Sequence, residues 1–172
     1  MLRKIILKQL DAAEKNIGES MDYLRFITNK SLGAFLRFAM FTSLAGYRKK
    51  LPADAYQVAR LIATRDEDCG TCVQTVVNLA RKDNVSSDIL QAVLQDKPEN
   101  LPADLADVYR FAKAIVEMNE EIAEPLRERL RERYGDEGLV ELCLGIAACR
   151  VYPVTKRALG YGISCPRAKI EL

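Results

Sequence analysis

Apolar residues recur at the period of an α-helix along almost the whole chain. The i, i+3, i+4, i+7 spacing of a single buried helix face is clearest at Val73, Val76, Val77 and Ala80. Glycine, proline and asparagine separate such segments, and no stretch alternates between apolar and polar residues as a half-buried strand would. The pattern therefore predicts an all-α fold.

Turn residues divide the chain into successive predicted helices. Gly18 closes a first amphipathic helix, Pro52 opens a helix with a buried face, and Asn84 stands where a left-handed cap ends the helix that begins near residue 69. Ser86 or Ser87 is predicted to cap the short helix that follows. Pro125 is predicted to open a mostly charged helix. Pro153 is predicted to kink or break the last long helix, because proline lacks an amide hydrogen and crowds the preceding turn.

Two segments fifty residues apart resemble each other. LPADAYQVAR at 51–60 and LPADLADVYR at 101–110 agree at six of ten positions. A duplicated helical hairpin explains this agreement. Two ordinary proline-initiated helices that follow the same capping rules explain it equally well.

Length and charge narrow the class of protein. A chain of 172 residues has the size of one domain, and we expect a single domain over 1–172. The net charge is only +2, with 26 basic and 24 acidic residues scattered along the chain, so we expect no nucleic-acid partner. The most apolar run, 32–47, is short and carries Arg37 in its middle, so we expect no transmembrane segment. Charges interrupt the N-terminus before a secretory core can form, which predicts a cytoplasmic protein.

The stretch RDEDCGTCVQTVV places Cys69 and Cys72 at a predicted helix start. This spacing allows the two thiols to close a disulfide, or one thiolate to attack a substrate while the other resolves the adduct. The amides of a helix N-terminus favour a thiolate there. The acidic turn at 66–68 lies immediately upstream and disfavours a second anion. Two unreactive cysteines packed at a helix start remain an alternative.

Other uses of the cysteines fit the sequence less well. We expect no metal site, because the chain contains no histidine and because Cys143 and Cys149 lie six residues apart on one helix, facing different sides. A thioredoxin-type site would need strands around the motif. Cys143 and Cys149 are predicted to be core residues, and Cys165 is predicted to be an exposed residue of the tail.

With its cysteine pair on a helical scaffold, AYQVARLIATRDEDCGTCVQTVVNLARKDNVSSDILQAVL resembles the core of the carboxymuconolactone decarboxylase and alkyl hydroperoxidase D superfamily. LADVYRFAKAIVEMN and GLVELCLGIAACRVYPVTKRALGYG follow the same family downstream. The resemblance covers about 50–162, leaving 1–48 as an N-terminal helical extension and 163–172 as a tail. It implies a multi-helix bundle of the alkyl hydroperoxidase D type with CxxC at the N-terminus of a core helix.

The resemblance also implies roles for individual residues. Cys72 corresponds to the family's peroxide-attacking thiol and Cys69 to its resolving partner, although the helix-end argument alone favours Cys69 as the more acidic thiol. The family's relay histidine and glutamate positions are occupied here by Val76 and Gln57. Valine cannot transfer a proton, and glutamine can only hydrogen-bond. Intrinsic peroxidase activity is therefore expected to be weak.

The predicted function is thiol-disulfide redox cycling of Cys69 and Cys72 with peroxide or with the disulfide of a partner. The resemblance implies a homo-oligomer, a trimer or hexamer, for which the apolar stretch 32–44 offers an interface. The same stretch could instead lie on an anionic membrane surface. A protein or small-thiol electron donor is expected, and no cofactor. The alternative is a non-catalytic oligomeric binding protein that retains the fold.

Overall fold

The computed structural model describes residues 1–162, so the predictions for the tail and Cys165 lie outside the described residues. Within this range the chain is helical and has no strand, which confirms the predicted all-α fold. A single 3-10 turn, Pro98–Asn100, separates the sixth and seventh helices. The helices are α1 (Leu2–Ile17), α2 (Asp22–Lys30), α3 (Leu32–Ala45), α4 (Ala53–Asp66), α5 (Gly70–Lys82), α6 (Ser87–Leu94), α7 (Ala103–Val116) and α8 (Glu120–Ala158).

Several helix boundaries follow the local signals in the sequence. Gly18 closes α1 with a φ of 85°, and Asn84 follows α5 with a φ of 62°, as the left-handed caps predict. Pro52 is the N-cap of α4. The Ser86 hydroxyl accepts a hydrogen bond from the Ile89 amide and caps α6. The predictions at these boundaries are confirmed.

The prediction that Pro125 opens a helix is wrong, and of the two effects predicted for Pro153 the break does not occur. The helix begins before Pro125, because the Asn119 side chain already accepts an amide hydrogen bond in the first turn. Pro153 does not end the helix, which continues to Ala158. Pro153 is buried, and the packing of α8 as a whole against α3, α4 and α7 offsets the lost backbone hydrogen bond. The interruption of α8 lies instead at Gly135, whose backbone has φ 72° and ψ 174°.

The two similar segments adopt the same structure. Helices α4 and α7 both have 14 residues and begin exactly fifty residues apart. Each is followed by a residue of positive φ, Asp68 or Met118, and then by a helix that begins at Gly70 or Glu120. The equal offset of helix, turn and next helix favours a repeated helical hairpin over two unrelated proline-initiated helices.

Helix α4 lies at the centre of the core, packed against α5, α6, α7 and α8. Every residue from 55 to 64 in this helix is buried. Helices α1, α2 and α3 bring together a second, smaller apolar cluster that contains Ile6, Leu10, Met21 and Phe35. The extension contacts the core through α1 against α5 and α3 against α8.

A buried carboxylate fixes the connection between the extension and the core. Glu141 of α8 is 2% exposed, and its oxygens accept hydrogen bonds from the backbone amides of Lys49, Lys50 and Leu51 at 2.9–3.1 Å. Burial alone would raise the pKa of Glu141, but these amides hold it below its usual value. The segment between α3 and α4 is thereby held against α8.

Among residues 1–162 one helix, α8, is long and apolar enough to cross a membrane by length and composition. Half of its most apolar window is buried inside the protein. The buried core helix of a soluble protein has the same length and composition as a membrane-spanning helix, so these two properties of α8 fit both.

Candidate thiol site and cavity

A cavity of about 720 Å³ lies between the N-terminal extension and the core. Side chains from α1, α2 and α3 form one wall, and side chains from α4, α5 and α8 form the other. Its volume falls in the range of roughly 300–1,000 Å³ that is typical of small-molecule sites. The extension thus encloses the space next to the cysteine helix.

Three of the four residues predicted for the site line this cavity. Cys72 lies in the first turn of α5 and is partly buried, and Gln57 and Val76 line the same space. Cys69 is the N-cap of α5 and is buried, with 6% of its surface exposed. A molecule in the cavity would therefore meet the Cys72 thiol together with the two positions at which the resembling family has its relay residues.

A buried lysine lies close to the cysteine pair. Lys156 of α8 is 8% exposed and lines the cavity, and its Nζ donates a hydrogen bond to Thr71 Oγ1. The same hydroxyl lies 3.7 Å from Cys69 Sγ. A positive charge is thus one hydroxyl group away from the Cys69 thiol, although 85 residues separate Lys156 from Thr71 in the sequence.

The extension contributes two titratable groups to the cavity. Burial raises the pKa of Glu19, the Lys156 charge opposes this rise, and an ionised Cys69 adds to it. Burial also raises the pKa of Tyr23, with an ionised Cys72 as the next contribution. Glu19 and Tyr23 both line the cavity that Cys72 lines. The sequence had indicated no part for residues 1–48 in the site.

The acidic turn before Cys69 is paired with arginines of α8. Arg150 Nε lies 2.8 Å and an Arg157 nitrogen 2.9 Å from the carboxylate of Glu67, which is 8% exposed, and Arg150 also pairs with Asp66 at 3.3 Å. Burial would raise the pKa of Glu67, but hydrogen bonds from Arg157 and Arg150 bring it below its ordinary value. The negative charge expected to oppose a thiolate is therefore largely compensated at Asp66 and Glu67.

Arg60 of α4 is a second buried cation in the cavity wall. Its side chain is 7% exposed, Nη1 donates to Gln57 Oε1 at 3.1 Å, and the guanidinium lies over the Tyr56 ring at 5.3 Å. Among residues 1–162 no carboxylate lies within 4.0 Å of it, and Arg60 Nε has no hydrogen-bond partner there. Gln57 Nε2 in turn donates to Asp83 at 2.7 Å.

The other cysteines of α8 lie on different faces. Cys149 is buried and lines the cavity, as predicted for a core residue. Its thiol donates to the backbone carbonyls of Ile146 and Arg60 at 3.2 Å and 3.6 Å. Burial raises the pKa of this thiol, and the charge of Arg60 acts in the opposite direction. Cys143 is exposed, so its prediction as a core residue is wrong. Six residues turn a helix by about 600°, so the two cysteines cannot face the same side.

Comparisons of the chain with protein-family models, with curated proteins and with solved structures find no match. The resemblance to the alkyl hydroperoxidase D superfamily rests on the residues quoted above and stays a prediction.

Proposed function

We propose that the protein is a thiol-disulfide redox protein of the alkyl hydroperoxidase D type, in which Cys72 attacks a peroxide and Cys69 resolves the product. The observation that carries this proposal is the position of Cys72 in the wall of a cavity of about 720 Å³ that buried Lys156 also lines. The cavity gives a substrate access to one thiol. The second thiol lies one helical turn away, within reach of a disulfide.

The proposed cycle has three steps. The Cys72 thiolate attacks one oxygen of the peroxide, the O–O bond breaks, and a sulfenic acid and an alcohol or water are formed. The Cys69 thiolate then attacks the sulfenic sulfur, which forms the disulfide and releases water. A dithiol electron donor reduces the disulfide by thiol-disulfide exchange and is itself oxidised to a disulfide.

Lys156 takes over part of the task of the relay residues that the resembling family has at Val76 and Gln57. A cation close to a thiol favours its ionised form, and the Thr71 hydroxyl connects Lys156 to Cys69. Glu19, whose pKa burial raises, can carry a proton to the leaving oxygen. Val76 at the relay position then lowers the rate of the reaction with peroxide but does not abolish it.

The helix order supports a bundle of the alkyl hydroperoxidase D type and its assembly into a homo-oligomer, which we also propose. The α4–α5 hairpin carries the cysteine pair at the head of α5, and the short α6 follows. Outside the bundle, α3 exposes Leu36, Met40 and Phe41, with Met40 71% exposed. Such an apolar surface fits an interface between copies of the chain.

A second candidate is a binding protein that keeps the cavity and does not turn over. The hydrogen bonds of Gln57 favour it, because the amide is held by Asp83 and Arg60 on either side and is not directed to a thiol. On this interpretation both relay positions have lost their catalytic residues, and Cys69 and Cys72 are structural.

Thiol counting separates the two candidates. In a Cys143→Ser/Cys165→Ser background, free thiols are counted under denaturing conditions before and after one equivalent of cumene hydroperoxide. Loss of two thiols is expected with Cys69 and Cys72 present. With Cys69→Ser we expect a sulfenic acid at Cys72 that dimedone traps, and with Cys72→Ser no rapid loss. If neither thiol reacts faster than free cysteine, the redox proposal is wrong.

A further inference from the structure

A charged side chain without a charged partner is rare in a protein interior. Arginine stays protonated, so burying it without an anion costs free energy that pairing would recover. Arg60 is 7% exposed, and among residues 1–162 its only hydrogen-bond acceptor is the neutral oxygen of Gln57. Because Arg60 lines the cavity and no carboxylate of residues 1–162 lies within 4.0 Å of it, an anion in the cavity would neutralise its charge.

The second copy of the hairpin shows what Arg60 lacks. Arg110 occupies the same position fifty residues later and pairs with Asp107, three residues before it, at 3.7 Å. The position three residues before Arg60 is Gln57. In the second hairpin the Asp107 carboxylate neutralises the exposed Arg110. In the first hairpin the neutral Gln57, whose amide donates to Asp83, stands next to the buried Arg60.

The charges around the cavity also favour an anion. Four basic side chains and two carboxylates line it, namely Arg48, Arg60, Lys82, Lys156, Glu19 and Asp83. Lys156 and Arg60 are the two buried members of this set. The balance of charge in the wall is therefore positive, and the deepest uncompensated charge is that of Arg60.

The opposite wall is apolar. The extension lines the cavity with aliphatic and aromatic side chains, among them Ile6, Leu10, Leu24 and Phe35. A small, fully polar anion would leave the apolar side chains of this wall exposed to water. A molecule with one carboxylate and an alkyl chain would use both walls, since the chain gains about 25 cal/mol for each Å² of apolar surface that it buries.

We infer that the cavity binds an amphipathic monocarboxylate, with its carboxylate on the Arg60 guanidinium and its alkyl chain against the apolar wall of the extension. Arginine matches a carboxylate with two parallel hydrogen bonds, which are among the stronger polar contacts in proteins. The inference concerns binding alone and goes beyond the proposed redox cycle. It stands whether or not the thiols react.

The test compares two probes of equal chain length on the full chain. Decanoate and decanol are titrated below their aggregation concentrations by isothermal calorimetry. Wild-type protein is expected to bind decanoate at least about tenfold more tightly than decanol, because a hydrogen bond to a charged group contributes about that factor. Cys69→Ser removes the proposed redox cycle at a residue that does not line the cavity, so it is expected to bind decanoate like the wild type, which separates this inference from the redox proposal.

Variants at equivalent positions of the two hairpins give the matched control. Arg60→Met is expected to lower decanoate affinity about tenfold or more and to leave decanol affinity unchanged. Arg110→Met removes the exposed equivalent and should change neither. Gln57→Asp recreates the pairing that Asp107 provides and should weaken decanoate by competition for Arg60.

Two outcomes would overturn the inference, and both are measured on the wild type. One is equal affinity for decanoate and decanol, which would mean that no charged group recognises the ligand. The other is that neither probe binds. If Arg60→Met fails to fold, as judged by circular dichroism, the ratio of the decanoate and decanol affinities is compared between the wild type and Gln57→Asp. A lower ratio in Gln57→Asp supports the inference, and an equal ratio contradicts it.

Discussion

The charge of Lys156 should control the reactivity of Cys69. Lys156 Nζ lies 2.5 Å and Cys69 Sγ lies 3.7 Å from the same atom, Thr71 Oγ1. These two contacts set an upper limit on the distance between the ammonium group and the thiol. At about 6 Å and an effective dielectric constant of about 20, one unit charge favours a thiolate by roughly 3 kcal/mol. Removing the charge would lower the ionised fraction of the thiol by up to about a hundredfold.

The effect on rate is smaller than the effect on ionisation. A less stabilised thiolate is a better nucleophile, with a Brønsted coefficient of about 0.4–0.5, so about a tenfold loss of rate remains. We therefore expect Lys156→Met to slow alkylation of Cys69 by iodoacetamide about tenfold at neutral pH. The measurement uses a background in which Cys72, Cys143 and Cys165 are serine, with mass spectrometry to assign the modified residue.

Two variants serve as controls. Lys156→Arg keeps the positive charge and should retain most of the rate, whereas Lys97→Met removes an exposed lysine outside the cavity and should retain all of it. The pH profile of alkylation should move to higher pH in Lys156→Met alone. Equal rates in wild type and Lys156→Met over the whole profile would show that this cation does not act on the thiol, and the role given to it would be wrong.

Three further outcomes are expected. Glu141→Gln should lower the free energy of unfolding by about 2–4 kcal/mol in urea denaturation, because a charged acceptor of three backbone amides is lost. Since the folded chain lowers the pKa of Glu141, its contribution is present above the ordinary glutamate pKa of about 4.3 and is lost as the pH falls through the folded value, so the two proteins should converge in acid. Gly145→Ala places a Cβ 2.6 Å from the Tyr56 ring and should cost about 1–3 kcal/mol by the same assay, whereas Gly33→Ala, with 3.5 Å to its nearest neighbour, should cost nothing. Met40→Glu should reduce the molar mass measured by light scattering if α3 forms the interface of an oligomer, and an unchanged mass would exclude that face.

The helix boundaries that the sequence predicted correctly depend on local chemistry. Gly18, Asn84 and Ser86 act on backbone groups within one turn, so their effect can be inferred without the rest of the chain. Pro125 does not open α8 and Pro153 does not break it, because the packing that outweighs the local cost of proline comes from helices far away in the sequence.

The site was predictable only in part, for the same reason. Cys69 and Cys72 stand close together in a recognisable motif, but Lys156, which donates a hydrogen bond to Thr71 between them, lies 85 residues further along the chain than Thr71. No spacing rule connects such residues. Arg60 left a signal that could have been used: its equivalent in the second hairpin has an aspartate three residues earlier, and Arg60 has a glutamine there.

Gln57 connects the proposed redox cycle and the proposed carboxylate site. In the resembling family this position carries the relay glutamate, and in this chain its oxygen accepts the hydrogen bond of Arg60. A glutamate here would pair with Arg60 and neutralise the charge that we assign to ligand binding. The glutamine that offers the proposed redox cycle no proton carrier therefore also leaves Arg60 available to an anion.

Gln57→Glu tests this connection. The variant should bind decanoate more weakly, because the new carboxylate occupies Arg60. It should not speed up the reaction with peroxide, because Val76 still provides no group to pass a proton between the carboxylate and the thiol. A faster reaction of Gln57→Glu with cumene hydroperoxide at unchanged decanoate affinity would contradict both statements, since the new carboxylate would then act on the thiols and not on Arg60.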